Sequence, residues 1–235
     1  MTTILITGAN KGLGYETARQ LIAAGHTVYL GCRDPQRGQD AAQRLNARLI
    51  QLDVTDDDSV SAAAHLVEEM GGLDVLVNNA GVEGRGDGNA IIAAEDVTAE
   101  MMREVFDTNV FGLVRATHAF LPLLQRSSAP VIVNVSSSLG SVTLAESPES
   151  PTFFYPGVAY PASKSAVNMI TVQFAKQFPT MRVNAVEPGY TDTDLNGHTG
   201  TQTVEEGARI IVEMAQTPSD GPTGGYFSAH GPVPW

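Results

Sequence analysis

Cysteine is almost absent. Cys32 stands alone in 235 residues, so no disulfide can close within the chain, and a reducing compartment such as the cytoplasm is expected. Basic residues are few: 14 Lys and Arg against 26 Asp and Glu give a formal net charge of -12. Such a surface repels polyanions and argues against nucleic acid as a partner, though it does not forbid a nucleotide in a locally positive pocket. Long apolar runs are missing too. A membrane-spanning helix needs about 20 consecutive apolar residues, and Thr3–Thr7 runs into glycines too soon to be the core of a secretion signal; no membrane partner is expected. The five histidines show no metal-ligand spacing, and Asp56-Asp57-Asp58 reads as a dipole-favoured first helical turn, so no metal is expected. What remains is an ordinary globular composition, 43% hydrophobic and 17% charged, of a length that suits one domain with a large core.

Short β-branched runs alternate with helical patterns along the chain. Strands are expected at Thr3–Thr7, Thr27–Cys32, Arg48–Leu52, Leu73–Val77, Val131–Val135, Met181–Val186 and Gly225–Ser228. Between them, helices are expected at Leu13–Ala24, from Pro35 to about Leu45, and at Asp57–Met70, Thr98–Gln125, Tyr160–Phe178 and Val204–Met214. Gly25 suits a left-handed helix end and Asp34-Pro35 a helix start. Glu83–Asn89, rich in glycine and charge, reads as an exposed loop. Ser141–Gly157 carries three prolines and no period, and reads as a loop covering a site. Alternating strands and helices imply an α/β fold: a single-domain, Rossmann-like, doubly wound parallel sheet with helices on both faces.

The first strand ends in Thr7-Gly8-Ala9-Asn10-Lys11-Gly12-Leu13-Gly14. Glycines let the backbone adopt positive φ and approach a ligand closely. The following helix N-terminus offers unpaired N–H groups and the positive end of its dipole to a pyrophosphate. A strand before and a helix after supply the context that a dinucleotide site requires.

From here the chain resembles the short-chain dehydrogenases/reductases. The turn matches their Thr-Gly-x-x-x-Gly-x-Gly, and Asn78-Asn79-Ala80-Gly81 their Asn-Asn-Ala-Gly. Asn109 lies in Thr-Asn-Val-Phe-Gly. Ser137 stands three residues before Gly140, Tyr160-Pro-Ala-Ser-Lys164 matches Tyr-x-x-x-Lys, and Pro188-Gly189-Tyr190-Thr191-Asp192-Thr193 matches Pro-Gly-x-x-x-Thr. Within the family it is most similar to the NADPH-dependent carbonyl reductases, without the long helical insertion that animal monomeric members carry before the tyrosine. The resemblance implies one dinucleotide-binding oxidoreductase domain over residues 1–235, with substrate loops at 141–159 and 194–203.

The implied catalytic residues are Asn109, Ser137, Tyr160 and Lys164. Tyr160 and Lys164, four apart, share a helix face. A nearby ammonium should lower the phenol from its usual value near 10, so that Tyr160 exchanges a proton with the substrate oxygen. Ser137 would hold that oxygen, Lys164 the nicotinamide ribose, and Asn109 a water linking Lys164 to solvent. Ser136 and Ser138 read as strand-end hydrogen-bonding groups. Tyr155, with nothing basic four residues on, is set aside as a decoy.

The implied cofactor-binding residues are Gly8, Asn10, Lys11, Gly12, Leu13, Gly14, Arg33, Asp53, Val54, Asn79, Ala80, Gly81, Tyr160, Lys164, Pro188, Gly189, Thr191 and Thr193. NAD readers usually place an acid at the end of the second strand. Here Cys32 and Arg33 stand there, and Arg33 with Lys11 would clamp a 2′-phosphate, implying NADP(H). Asp34 is the rival as a ribose reader, but suits the helix cap. The expected reaction is NADPH-dependent reduction of a small ketone or aldehyde. The alternatives are an NADP-dependent alcohol dehydrogenase working in oxidation, and a non-catalytic NADP(H)-binding redox sensor. A homodimer or homotetramer is expected.

Overall fold

The computed structural model describes residues 2–235. Period-two alternation in the strands builds the sheet. Ile4 and Ile6 of β1 (Thr3–Thr7) enter one core with Val28, Leu30, Val75, Val77 and Val133, whereas Leu5 enters the opposite one with Tyr29, Leu76 and Ile132. Burial on both faces demands helices on both sides. The first core is covered by α1 (Gly12–Ala23), α2 (Pro35–Leu45) and α8 (Val204–Ala215). The second is covered by α3 (Asp57–Glu69), α5 (Leu113–Leu124) and α7 (Ala159–Gln177).

The strands are completed by β2 (Thr27–Cys32), β3 (Arg48–Gln51), β4 (Val75–Asn78), β5 (Val131–Val135), β6 (Arg182–Glu187), β7 (Tyr226–Ser228) and β8 (Gly231–Pro232). Their order is β3-β2-β1-β4-β5-β6-β7-β8, parallel from β3 through β7. The order reverses between β1 and β4, and the crevice beyond the carboxyl ends of strands at such a switch point is where doubly wound sheets bind ligands. Among the described residues no helix is long and apolar enough to cross a membrane.

Caps act where the sequence predicts them. The Asp34 side chain accepts from the backbone N–H groups of Gln36 (2.9 Å) and Arg37 (3.0 Å) at the start of α2. Gly25 takes φ +89° after α1. Asp56, read as part of a first turn with Asp57 and Asp58, instead precedes α3 as its cap, accepting from Ser59 N at 2.7 Å.

Several expectations need correction. The helix read as Thr98–Gln125 is α4 (Ala99–Phe106), a wider π-type turn at Asp107–Gly112, and then α5. Gly112 in that turn rests on Val54, whose side chain lies 2.8 Å from where a Cβ would stand, and Asn109 is drawn toward the loop after β4. The Glu83–Asn89 loop is not uniformly exposed, because Glu83 and Arg85 turn inward and pair. β8, two residues long, pairs antiparallel with β7. It was too short to leave a periodic signal. A four-residue helix, α6 (Val142–Ala145), interrupts the long loop before α7.

Candidate active site

Every sequence-predicted site residue lies at the carboxyl edge of the sheet or on a helix facing it. The glycine turn follows β1. Gly8 (φ +67°) and Gly12 (φ +55°) occupy the left-handed region, which glycine enters without penalty. Gly14 is glycine for another reason: a Cβ there would stand 2.5 Å from Asn79 Nδ2 and 2.7 Å from Gly8 O. The Asn79 amide fills that space, donating to Thr7 O at 2.8 Å and Gly8 O at 3.2 Å. Thr7 Oγ1 accepts from the N–H groups of Asn79 and Ala80, both at 3.0 Å. The ends of β1 and β4 are thereby locked together, and Asn10, Lys11, Leu13 and the start of α1 are presented to the crevice. Asn78 turns the other way, into a buried chain with Thr117 and Asn134.

Ser137 lies two residues beyond β5 and caps a turn at Ser138–Gly140. Gly140 sits so close to α7 that a Cβ would come within 2.7 Å of Lys164 Cβ, which accounts for glycine three residues after the serine. The contact carries Ser137 to Tyr160, in the first turn of α7. Lys164, one turn on, is buried; its Nζ lies 5.4 Å from the centroid of the Tyr160 ring and donates to Val135 O at 2.8 Å. Asn109 Nδ2 donates to Val82 O (2.8 Å) and Ser163 Oγ (2.9 Å), and its Oδ1 accepts from Val82 N (2.8 Å). Ser163 Oγ in turn donates to Tyr160 O at 2.7 Å. A Cβ on Gly81 would lie 3.4 Å from Asn109 Oδ1 and 3.6 Å from Lys164 Nζ, so the loop after β4 closes over both groups. Ser136, as expected, is a strand-end group, bonded to Asn168 Oδ1 at 2.6 Å.

The electrostatics depart from expectation. Burial and the Glu83 carboxylate hold the Tyr160 phenol well above its ordinary value, with the Ser137 hydroxyl pulling the other way. The expected lowering by Lys164 does not set the balance: its Nζ lies 5.4 Å from the ring centroid, and burial pushes Lys164 itself down to about 8.

The remaining positions divide by how far their polar groups are already engaged. Arg33 is exposed and makes no ion pair among the described residues. Lys11 Nζ meets Asp194 Oδ2 at 2.6 Å, and both side chains are more than half exposed. His198 stands between Asp192 (2.7 Å) and Asp194 (2.8 Å), on the same segment that meets Lys11. Asp53 Oδ1 accepts from Thr55 N and Oγ1, and Val54 is buried under Gly112. Thr191 is buried, its hydroxyl taken by Gly189 O and Gln202, and Gln202 also donates to Pro188 O. Thr193 packs toward Gly12.

Glu83 escaped the sequence reading, and Tyr155 was set aside. The two meet, the Tyr155 hydroxyl donating to Glu83 Oε1 at 2.8 Å across a separation of 72 residues. The charge of the Glu83 loop was the one signal, and it was read as solvation.

The model of the short chain dehydrogenase family matches residues 2–204. The chain is 40% identical to short-chain dehydrogenase anuI of Penicillium roqueforti (strain FM164), over 90% of this chain and 87% of that one. It is 33% identical to (+)-neomenthol dehydrogenase of Capsicum annuum, over 95% and 94% respectively. That alignment runs over 298 positions, more than the 235 residues here, so the relative carries segments without a counterpart. Among solved structures, NADPH-bound carbonyl reductase from chicken fatty liver superposes with a TM-score of 0.86 at 28% identity, covering 100% of this chain and 99% of that chain.

Proposed function

This chain belongs to the short-chain dehydrogenase family, and we propose that it reduces a small ketone or aldehyde to an alcohol with NADPH. The convergence of Ser137, Tyr160 and Lys164 beside the glycine turn carries the proposal. The turn fits a dinucleotide: positive φ at Gly8 and Gly12, an open helix start, and no Cβ at Gly81 between Asn109 and Lys164. When bound, the nicotinamide supplies the hydride. Lys164 makes one hydrogen bond among the described residues, leaving two ammonium hydrogens for ribose hydroxyls. Ser137 holds the substrate oxygen. Tyr160 donates its proton to that oxygen as the hydride arrives, and regains one from solvent afterwards. Asn109 fixes the loop after β4 against α7, beside the water path assigned to it.

Preference for NADP(H) is supported by Asp34, whose Oδ1 caps the start of α2 and whose Oδ2 faces Arg37 at 3.5 Å. It is supported also by two basic residues, Lys11 in the glycine turn and Arg33 after β2, which would clamp a 2′-phosphate; Lys11 would exchange Asp194 for the phosphate. Asp53, Val54, Pro188, Gly189, Thr191 and Thr193 complete the cofactor cleft, the engaged ones through backbone and packing. Loops 141–159 and 194–203 form the substrate side. Two relatives are named (+)-neomenthol dehydrogenase and salutaridine reductase, names that suit hydride transfer with a small organic alcohol or carbonyl compound. Exposed Phe111, Val114 and Met169 on the outer helices support a homodimer or homotetramer, and a lone buried cysteine suits the cytoplasm.

The test is steady-state turnover of a ketone and aldehyde panel with NADPH and NADH in parallel. Turnover preferring NADPH is expected. Tyr160→Phe should retain NADPH binding and lose about 10²–10⁴-fold in kcat. Preference for NADH would refute the Lys11–Arg33 clamp, and binding without turnover in the wild type would favour the sensor reading.

A further inference from the structure

Glu83-Gly84-Arg85, after β4, carries two charged side chains into the fold. Gly84 takes φ +72° and lies against Val105 of α4, with no room for a Cβ. Its neighbours both turn inward: the Glu83 side chain is 7% exposed and that of Arg85 14%. They pair at 2.8 Å, so the charge of each is cancelled by the other. Glu83 Oε1 also accepts from the Tyr155 hydroxyl at 2.8 Å, and a backbone bridge joins Ala93 to Gly157. Loops 81–93 and 141–159, distant in sequence, are thereby fastened around a narrow cavity. Arg85, Tyr155, Ile91, Val97 and Met101 border it, and Tyr160 closes it on one side.

The wall of this cavity is mostly apolar, and its polar side chains are engaged with one exception. Glu83 and Tyr155 bond each other, and Tyr160 is assigned to the reacting oxygen. Arg85 Nη2 donates to Glu83 Oε1 at 2.8 Å and Nη1 to Asn89 O at 2.9 Å. Arg85 Nε, by contrast, is buried and finds no hydrogen-bond partner among the described residues. The guanidinium is a rigid plane with five N–H donors. With both terminal nitrogens anchored, Nε–H cannot swing to another protein group without breaking one of those bonds. A buried donor left unmatched is costly. Small-molecule pockets characteristically combine an apolar wall with a few fixed polar groups of this kind.

We propose that Arg85 is a specificity-determining residue that donates through Nε to a second oxygen of the substrate. The substrate class is then a carbonyl compound with a further acceptor oxygen (an ester, an ether or a second carbonyl) rather than a plain hydrocarbon ketone. The assignment rests on the reductase reading above and deepens it. Because Glu83 cancels the charge of Arg85, selection is by hydrogen-bond acceptance and not by charge. A site built to bond a polar group discriminates against the analogue that lacks it, here by about tenfold or more.

Keto esters paired with alkanones of equal chain length test it, each with NADPH: ethyl acetoacetate with 2-heptanone, ethyl levulinate with 2-octanone, and ethyl 5-oxohexanoate with 2-nonanone. The three pairs vary the spacing between the two oxygens. For the wild type, kcat/KM of at least one keto ester is expected to exceed that of its partner by about tenfold or more. Arg85→Lys keeps a cation for Glu83 and puts a methylene where Nε stands. It should shrink that ratio by about tenfold, the loss falling on KM more than on kcat. General damage to the enzyme and the intrinsic reactivity of each ketone both cancel in this comparison. The proposal is overturned if no keto ester exceeds its alkanone by more than about threefold in the wild type, the result expected if Nε bonds a water instead. It is overturned equally if Arg85→Lys leaves the ratio unchanged. Turnover of none of the six by the wild type would refute the reductase reading itself, and this assignment with it. Turnover of the alkanones separates the two failures.

Discussion

Replacing Gly14 by alanine asks the fold for space it does not have. The new Cβ would stand 2.5 Å from Asn79 Nδ2, 2.7 Å from Gly8 O and 3.0 Å from Ala9 Cα. Two of these are backbone atoms of the turn, so the side chain of Asn79 gives way first and releases its bonds to Thr7 O and Gly8 O. Two lost neutral hydrogen bonds cost about 2 kcal/mol, and residual overpacking about 1–3 kcal/mol. Better helix propensity returns about 1 kcal/mol. The net destabilisation is about 2–4 kcal/mol, which for a chain of this length lowers Tm by roughly 4–16 °C. Gly12→Ala is the comparison. Its Cβ would meet nothing nearer than the Thr193 methyl at 3.6 Å, and its only penalty is the positive φ of +55°, about 1–2 kcal/mol. Thermal unfolding by circular dichroism and NADPH titration by fluorescence measure both effects. Gly14→Ala should melt below Gly12→Ala and bind NADPH more weakly than wild type. Equal melting temperatures, or wild-type affinity in Gly14→Ala, would show that Asn79 does not depend on that gap.

The other expectations concern charge and support. Lys164 titrates near 8 in the folded chain against an ordinary 10.5; the unfolded chain therefore holds more protons between those values, and stability should rise with pH across that window. Relative to Lys164→Met, the wild type should gain about 2 kcal/mol between pH 7 and 10 in urea unfolding, and a constant difference would refute the burial argument. Asn109→Ala strands the N–H and C=O of Val82 and the Ser163 hydroxyl; a loss of about 3 kcal/mol is expected, with fast amide exchange at Val82 as the local signature. Asp192, then Asp194, hold His198 above its ordinary range, so its tie to the 191–203 loop is present at low pH and fades as pH rises through that elevated value. Amide exchange in this loop, corrected for the intrinsic pH effect and compared with His198→Gln, should quicken between pH 6 and 9.

The scaffold was legible because its signals are local. Alternation in Thr3–Thr7 and Val131–Val135 separates two cores by side-chain direction alone. Asp34-Pro35 starts a helix by chemistry within three residues. The four-residue spacing of Tyr160 and Lys164 places them on one helix face wherever that helix is packed. The Thr98–Gln125 pattern misled for the converse reason. Its apolar period continues through Asp107–Gly112, but the turn widens to meet Val54 and Val82, residues from other elements.

Sequence by itself determined the doubly wound sheet and the glycine turn after β1, since each follows from backbone preference, periodicity or a motif a few residues long; the set of residues at the carboxyl edge was implied by the family resemblance. Tertiary structure alone decided the environment of that set. It placed Glu83 against Tyr155 across 72 residues and Lys11 against Asp194 across 183. It also buried Tyr160 near Glu83, and so raised the phenol that local spacing led one to expect lowered. Charge and burial act through space, and the distances that govern them exist only once the chain has folded.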